Sequence, residues 1–380
     1  MNFDKITAQM FESWKSAVEA NRIPQTICLL GAPGIGKTSA ARELARQMTA
    51  YMAEKGNNTE AVCEVRDLSS SLPEDLGGLP YRDGATTRYA PPVAIQRICE
   101  PGAYGVFVLD DLPAAPTAVQ VASRQISLEH RVHDHEISRQ VMIIVTGNRR
   151  EDKSAASTLP AHFRNSVLLY TVEPDFKKWE SWAHESGVDQ LITQFLTFRP
   201  AHFSRLPADA DAQGAFATPR TWVMLSQELK VARKLDTLRE TASGLVGDGV
   251  ATELVAFELV RTQLVAPEKV LSSPETALPD RSILNSPDRM TAMVTGLADA
   301  AIHKAKGEKG TKAYVQYMKA LAYVCEVGGN EYVATSIATF VSHKGKFDKL
   351  REAIPEAKGD PRVMNMMGHL AACFSKTVVN

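Results

Sequence analysis

The chain has 380 residues, enough on the usual size prior for about two to three domains. Hydrophobic residues make up 44% and charged residues 23%, an ordinary balance for a globular chain. Lys plus Arg number 43 against 44 Asp plus Glu, so no global field favours nucleic acid or an anionic membrane. The five cysteines (Cys28, Cys63, Cys99, Cys325, Cys373) form no CxxC pair, which argues for reduced thiols and against a disulfide frame or zinc site. The N-terminal stretch is amphipathic and mixed in charge, with no apolar signal core. No apolar run approaches the ~20 residues that span a bilayer. A cytoplasmic location without membrane attachment is expected.

In chain order, Thr26–Leu30 is a short apolar run ended by glycine, suited to a strand buried on both faces. Lys37–Tyr51 then repeats Ala41, Leu44, Ala45 and Met48 at helical spacing. Three more apolar runs follow: Gly105–Leu109, ending in two aspartates; Gln140–Thr146, ending in Gly147-Asn148; and Ser166–Val172, ending at Glu173-Pro174. Short apolar strands separated by helices predict a parallel sheet with right-handed crossovers. Beyond Pro174 the pattern becomes helical. Phe176, Trp179, Trp182 and Ala183 are expected to share one face, as are Leu191, Ile192, Phe195 and Leu196. A further helix starts at Thr218-Pro219 and carries Trp222, Leu225 and Leu229. The Pro- and Ser-rich stretch 267–287 reads as a linker, and 288–380 as several amphipathic helices.

The strongest chemical signal is Gly31-Ala32-Pro33-Gly34-Ile35-Gly36-Lys37-Thr38, followed by Ser39, which satisfies GxxxxGK[ST] between a predicted strand and a predicted helix. Its glycines let backbone N–H groups turn inward toward phosphate oxygens, and the helix adds its positive end. Lys37 would reach the β and γ phosphates of ATP, and Thr38 would offer its hydroxyl to Mg²⁺. The strand Gly105–Leu109 would deliver Asp110 beside this loop as a second magnesium ligand, with Asp111 placed to orient or deprotonate the attacking water. Asn148, after the next strand, can hydrogen-bond the γ-phosphate or that water. Arg220 falls in a first helical turn, where the helix dipole opposes a cation unless an anion lies nearby.

The order of these motifs resembles the AAA+ superfamily and, within it, the MoxR-like ATPases. The resemblance covers roughly 25–229: GAPGIGKT, DLGGLPYRDGATTRYAPP, VFVLDDL, VTGN, LPAHFRN and TPRTW. It implies an α/β P-loop AAA+ core whose parallel sheet is sandwiched by helices (1–173), an all-α lid (174–266) and a helical C-terminal region (267–380). It further implies a homo-oligomeric ring, usually a hexamer, with MgATP between subunits, Asn148 as sensor 1 and Arg220 as sensor 2. The client implied is a protein, often one containing a von Willebrand factor A domain. Two positions depart from the family. Asp111 stands where Glu is usual, one methylene shorter. Ser166 occupies the arginine-finger position, leaving Arg164 as the nearest candidate and Arg149 and Arg150 as fallbacks.

Other signals carry blander readings. His130, His133 and His135 crowd a polar hairpin; on a strand, His133 and His135 would share a face that could suit zinc. Tyr81, Arg82, Arg88 and Tyr89 could touch single-stranded nucleic acid, although the neutral chain favours a protein-contacting loop. Trp179 and Trp182 read as core. Lys304, Lys306, Lys309 and Lys312 read as a solvated loop. The functions that follow are an ATP-driven remodeller, a nucleotide-gated scaffold with little turnover and, less favoured by the charge balance, a nucleic-acid-dependent motor.

Overall fold

A computed structural model describes residues 3–149, 159–207, 214–231, 235–305, 310–329, 331–343 and 345–368. Arg150, Lys306, Lys309 and Cys373 lie outside them. The chain forms two compact units, Met1–Asp175 with Leu206–Gln213, and Phe176–Arg205 with Gly214–Asn380.

In the first unit the elements run α1 (Phe3–Glu19), β1 (Ile27–Leu30), α2 (Lys37–Glu54), β2 (Val62–Asp67), α3 (Glu74–Gly77), β3 (Leu79–Asp83), β4 (Thr86–Ala90), α4 (Val93–Cys99) and β5 (Tyr104–Asp110). They continue with α5 (Thr117–Glu129), β6 (Arg131–Val132), β7 (His135–Glu136), β8 (Gln140–Gly147), α6 (Ala161–Arg164) and β9 (Leu168–Thr171). Five strands make one sheet in the order β2-β5-β8-β1-β9, every neighbour parallel. Successive side chains alternate between its faces. Val106 and Val108 of β5 join Trp14 of α1 and Leu44 and Met48 of α2 in one core. Phe107 and Leu109 join Ile95 of α4 and Val119 and Ile126 of α5 in the other. Helices on both faces explain why β1, β5 and β8 read as unbroken apolar runs. This is the α/β P-loop fold class expected from the motifs.

One strand of the sheet leaves no apolar run in the sequence. β2 (VCEVRD) sits at the sheet edge, half exposed, so its polar residues hide it from a search for apolar runs. Outside the sheet, β3 and β4 form an antiparallel hairpin with no buried residue, and β6 and β7 pair as a short one.

In the second unit the elements are α7 (Phe176–Glu185), α8 (Gln190–Phe198), α9 (Pro219–Leu229), α10 (Leu235–Val246), α11 (Asp248–Gln263), α12 (Pro267–Ser272) and α13 (Pro274–Ala277). They are followed by α14 (Pro287–Lys304), α15 (Gly310–Gly328), α16 (Glu331–Ser342) and α17 (Lys346–Ala357). Every residue from Met290 to Ile302 of α14 is buried, as befits a helix apolar nearly all round with α8, α11, α12, α15 and α16 against it. The stretch read as a linker is packed instead. α12, α13 and the turn Arg281–Leu284 bury Val270, Leu271, Leu278 and Leu284 in the same cluster as α14 and α15. Trp182 is also corrected: it is 48% exposed, because the buried line of α7 runs through Glu180 and Ala183. Burial pushes the Glu180 carboxyl up, against a hydrogen bond from Thr197. Burial also brings Asp299 up to about 7 and, with His343 beside it, His184 down to about 3. No described helix is long and apolar enough to cross a membrane.

Candidate functional site

The parallel register brings the carboxyl ends of the strands to one edge of the sheet. Asp67 lies opposite Asp110, and Leu30 lies opposite both Gly147 and Thr171. In open α/β sheets that edge is where ligands sit. The loop Gly31–Gly36 leaves β1 there and turns directly into α2. Gly36 caps α2 with φ 99°, a left-handed conformation that a side chain would strain. At Gly31 the reason for glycine is proximity: an added Cβ would lie 2.5 Å from the Val172 carbonyl oxygen. The first N–H groups of α2 are orphans by the geometry of any helix, and they face the end of greatest positive potential.

Lys37 folds back over the loop. Its ammonium donates to the carbonyls of Gly31 (2.7 Å) and Ala32 (2.9 Å) and to Asn148 Oδ1 (2.9 Å). The last contact assigns the Asn148 amide, turning its Nδ2 donor away from the lysine. Thr38 Oγ1 donates to the Asp110 carboxylate, 3.1 Å from each oxygen. A hydroxyl and a carboxylate at this spacing form the hard-oxygen pair that Mg²⁺ takes with water, so the donor set fits that ion. Ala32 and Ile35 are buried, Pro33 and Gly34 partly so, and Ser39 is exposed.

Asp111 is held in an unusual way. Its backbone is left-handed at φ 57°, which Asp tolerates better than most residues. Its N–H donates to Thr146 Oγ1 (3.1 Å), and among the described residues its buried Oδ1 has no hydrogen-bond partner. Burial pushes this carboxyl above its ordinary range. Lys37 and the Asn148 N–H oppose the shift, while Asp110 and Asp67 reinforce it. A raised carboxyl beside a phosphate loop is a stronger base than a free one.

Two residues here escaped the sequence reading. Thr146 links both acids, because its hydroxyl also donates to Asp110 Oδ1. The only signal was a polar residue inside the apolar strand VMIIVTG. Asp67 went unseen because its strand did.

The sheet-edge residues Lys37, Thr38, Asp110, Asp111 and Asn148 therefore converge. Arg164 is exposed at the end of the four-residue helix α6, and Ser166 is exposed two positions on. The fallback Arg149 is tied down by Glu173 at 2.5 Å. Arg220 stands exposed in the first turn of α9, in the second unit. As the sequence predicts, Thr218 caps that helix in a capping box with Thr221 and Pro219 opens it.

His133 and His135 do not share a strand face. His133 sits in the turn with φ 48° and stacks on Tyr89 at 3.8 Å, while His135 Nε2 meets the Tyr89 carbonyl at 3.0 Å. Together they fasten the β3–β4 hairpin to the β6–β7 turn, a structural role. Arg82 and Arg88 are likewise engaged within their own hairpin, with the Gly84 carbonyl and Asp83.

No family model matches the chain, and no curated protein does. Solved structures show distant likeness. The Thermotoga maritima RuvB Holliday junction branch migration motor aligns at 11% identity over 74% of this chain and 80% of that one, TM-score 0.38. The Aeropyrum pernix ORC1 protein, solved in complex with DNA, aligns at 16% identity over 78% of each chain, TM-score 0.37. C. elegans PCH-2 aligns at 14% identity over 67% of this chain and 66% of that one, TM-score 0.31. The parallel sheet, the glycine loop opening α2 and the acid at the end of β5 define the first unit as a P-loop α/β domain by its own geometry.

Proposed function

We propose that the chain is a magnesium-dependent ATPase of AAA+ type, MoxR-like in its motif order, that assembles as a ring, usually a hexamer, and remodels a partner protein. The observation that carries the reading is the convergence of Lys37, Thr38, Asp110, Asp111 and Asn148 from one helix start and two strand ends. The orphan N–H groups of the loop and α2 bind the phosphate tail of ATP, and Lys37 exchanges one of its carbonyl partners for a phosphate oxygen. Thr38 and Asp110 would hold Mg²⁺, which supplies neutralisation of the β and γ oxygens. Asp111 accepts the proton of the attacking water through its unpartnered Oδ1, and Asn148 Nδ2 positions that water or the γ-phosphate. Arg164 is proposed as the arginine finger acting on a neighbouring subunit, and Arg220 as sensor 2. A protein with a von Willebrand factor A domain is the client class the motif resemblance favours, and a cytoplasmic setting goes with it.

A nucleotide-gated scaffold is the second reading, favoured by the shorter acid at Asp111. Steady-state phosphate release separates the two. The ATPase reading expects Mg²⁺-dependent turnover abolished by Lys37→Ala and indifferent to added DNA. Nucleotide-dependent assembly without turnover supports the scaffold, and turnover that requires DNA supports a nucleic-acid motor.

A further inference from the structure

The second unit contains a cluster that the nucleotide chemistry does not use. His184 near the end of α7, Asp299 on α14 and His343 just after α16 each offer one ligand atom, all within 4.8 Å of one another. Three separate helical segments deliver them, so only the folded unit assembles the set. We propose that His184, Asp299 and His343 bind a divalent transition-metal ion of the zinc class.

Two imidazoles and one carboxylate are a donor set for zinc or a neighbouring first-row ion rather than for Mg²⁺ or Ca²⁺, which take oxygen. The groups around the cluster already orient it. His343 Nδ1 lies 2.7 Å from the Thr339 carbonyl; donation there fixes the tautomer and turns the Nε2 lone pair outward as the ligand. Asp299, 4% exposed, accepts at Oδ2 from Gln194 Nε2 (3.1 Å). These are the carbonyl-to-histidine and donor-to-carboxylate supports that metal sites carry. Among the described residues Gln194 Oε1 is itself buried with no hydrogen-bond partner, an unsatisfied acceptor to which a metal-bound water could donate.

A core of mutually hydrogen-bonded side chains would be the ordinary explanation for such residues. Here, among the described residues, no hydrogen bond or ion pair joins either ring to Asp299; the carboxylate's partner is Gln194, and His343 is bonded to backbone. The rings of His184 and His343 instead lie side by side, 4.0 Å between centroids and tilted by 31°. Ligands on a shell of about 2.0–2.2 Å stand roughly 3.5 Å apart, so the three atoms need to close by about an ångström, a side-chain torsion adjustment. A route in exists. Asp299 and Gln194 line a cleft of about 790 Å³, also bordered by His303 and Lys304, within the same unit. With three protein ligands, water completes the coordination. The ion would clamp α7 to α14 and α16.

The test uses the full chain, stripped of metal by chelator and titrated with Co²⁺, whose visible absorption reports coordination by nitrogen and oxygen, and with Zn²⁺ in competition. The expected result is one equivalent of Co²⁺ per chain, displaced by Zn²⁺, with binding lost in Asp299→Asn and in His343→Gln. Asp299→Asn removes the carboxylate ligand while keeping shape, and its circular dichroism establishes that it folds. Gln194→Met should weaken Co²⁺ by roughly 10–100-fold, the usual effect of losing a supporting hydrogen bond. Lys37→Ala should bind Co²⁺ as the parent does, so failure of the nucleotide reading leaves this result untouched. No Co²⁺ or Zn²⁺ uptake by the parent chain, or uptake unchanged in a folded Asp299→Asn chain, overturns the proposal.

Discussion

Thr146→Val offers the sharpest probe of how the two acids are held. Valine matches threonine in shape and suits a buried strand, so what changes is one hydroxyl. That hydroxyl accepts the Asp111 N–H at 3.1 Å and donates to Asp110 Oδ1. Leaving a buried N–H unpaired costs about 1–3 kcal/mol, and a hydrogen bond to a charged group contributes about 1.5–3 kcal/mol. The Asp111 amide is only partly buried and Asp110 keeps its bonds from Thr38, so the combined loss should be about 2–3 kcal/mol of folding stability. Because the lost donor orients the proposed magnesium ligand Asp110, the Mg²⁺ concentration for half-maximal ATP hydrolysis should rise about 10–100-fold. Urea unfolding without nucleotide measures the first effect and a magnesium titration of phosphate release the second. Thr146→Ser restores the hydroxyl and should recover most of the magnesium dependence. If Thr146→Val unfolds like the parent and needs no more Mg²⁺, Thr146 does not hold the acids and the account of Asp111 is wrong.

Asp111→Asn keeps a residue that tolerates φ 57° but removes the proposed base, so ATP binding should persist while hydrolysis falls about 10²–10⁴-fold in single-turnover assays. Arg164→Ala should lower turnover about 10³–10⁵-fold with little change in the affinity for an ATP analogue, if that arginine acts in trans. Mixing the Arg164→Ala and Lys37→Ala chains should then restore some activity through composite sites. Glu180→Gln should alter the pH dependence of folding. The native carboxyl is held above its usual 4.5, so the unfolded chain releases its proton first and stability drains as pH rises from that value to the native one. Glutamine does not titrate, so the variant should gain on the parent through this window in thermal melts, and equal stability differences at every pH would refute the assignment.

The phosphate loop was legible because its spacing is dictated by backbone geometry at a strand–helix junction, and β1, β5 and β8 because burial on both faces leaves only apolar side chains. β2 was hidden for the opposite reason: as an edge strand it carries Glu64, Arg66 and Asp67, and no period or apolar run marks it. Thr146 was hidden because its partners come from β5, a neighbour defined only by sheet order. The packed stretch 267–284 misled because proline and serine there start short helices at Pro267 and Pro274, where a first-turn proline loses no hydrogen bond. Asp299, His184 and His343 could not be grouped from sequence at all, since the packing of α7, α14 and α16 alone brings them together.

Equilibrium titration of the purified chain with a slowly hydrolysed, fluorescent ATP analogue, with and without Mg²⁺, bears most directly on the central claim. Saturable binding that tightens with Mg²⁺, loses that gain in Asp110→Asn and disappears in Lys37→Ala is the predicted result. Absence of binding by the folded chain at any protein concentration or ionic condition would contradict it.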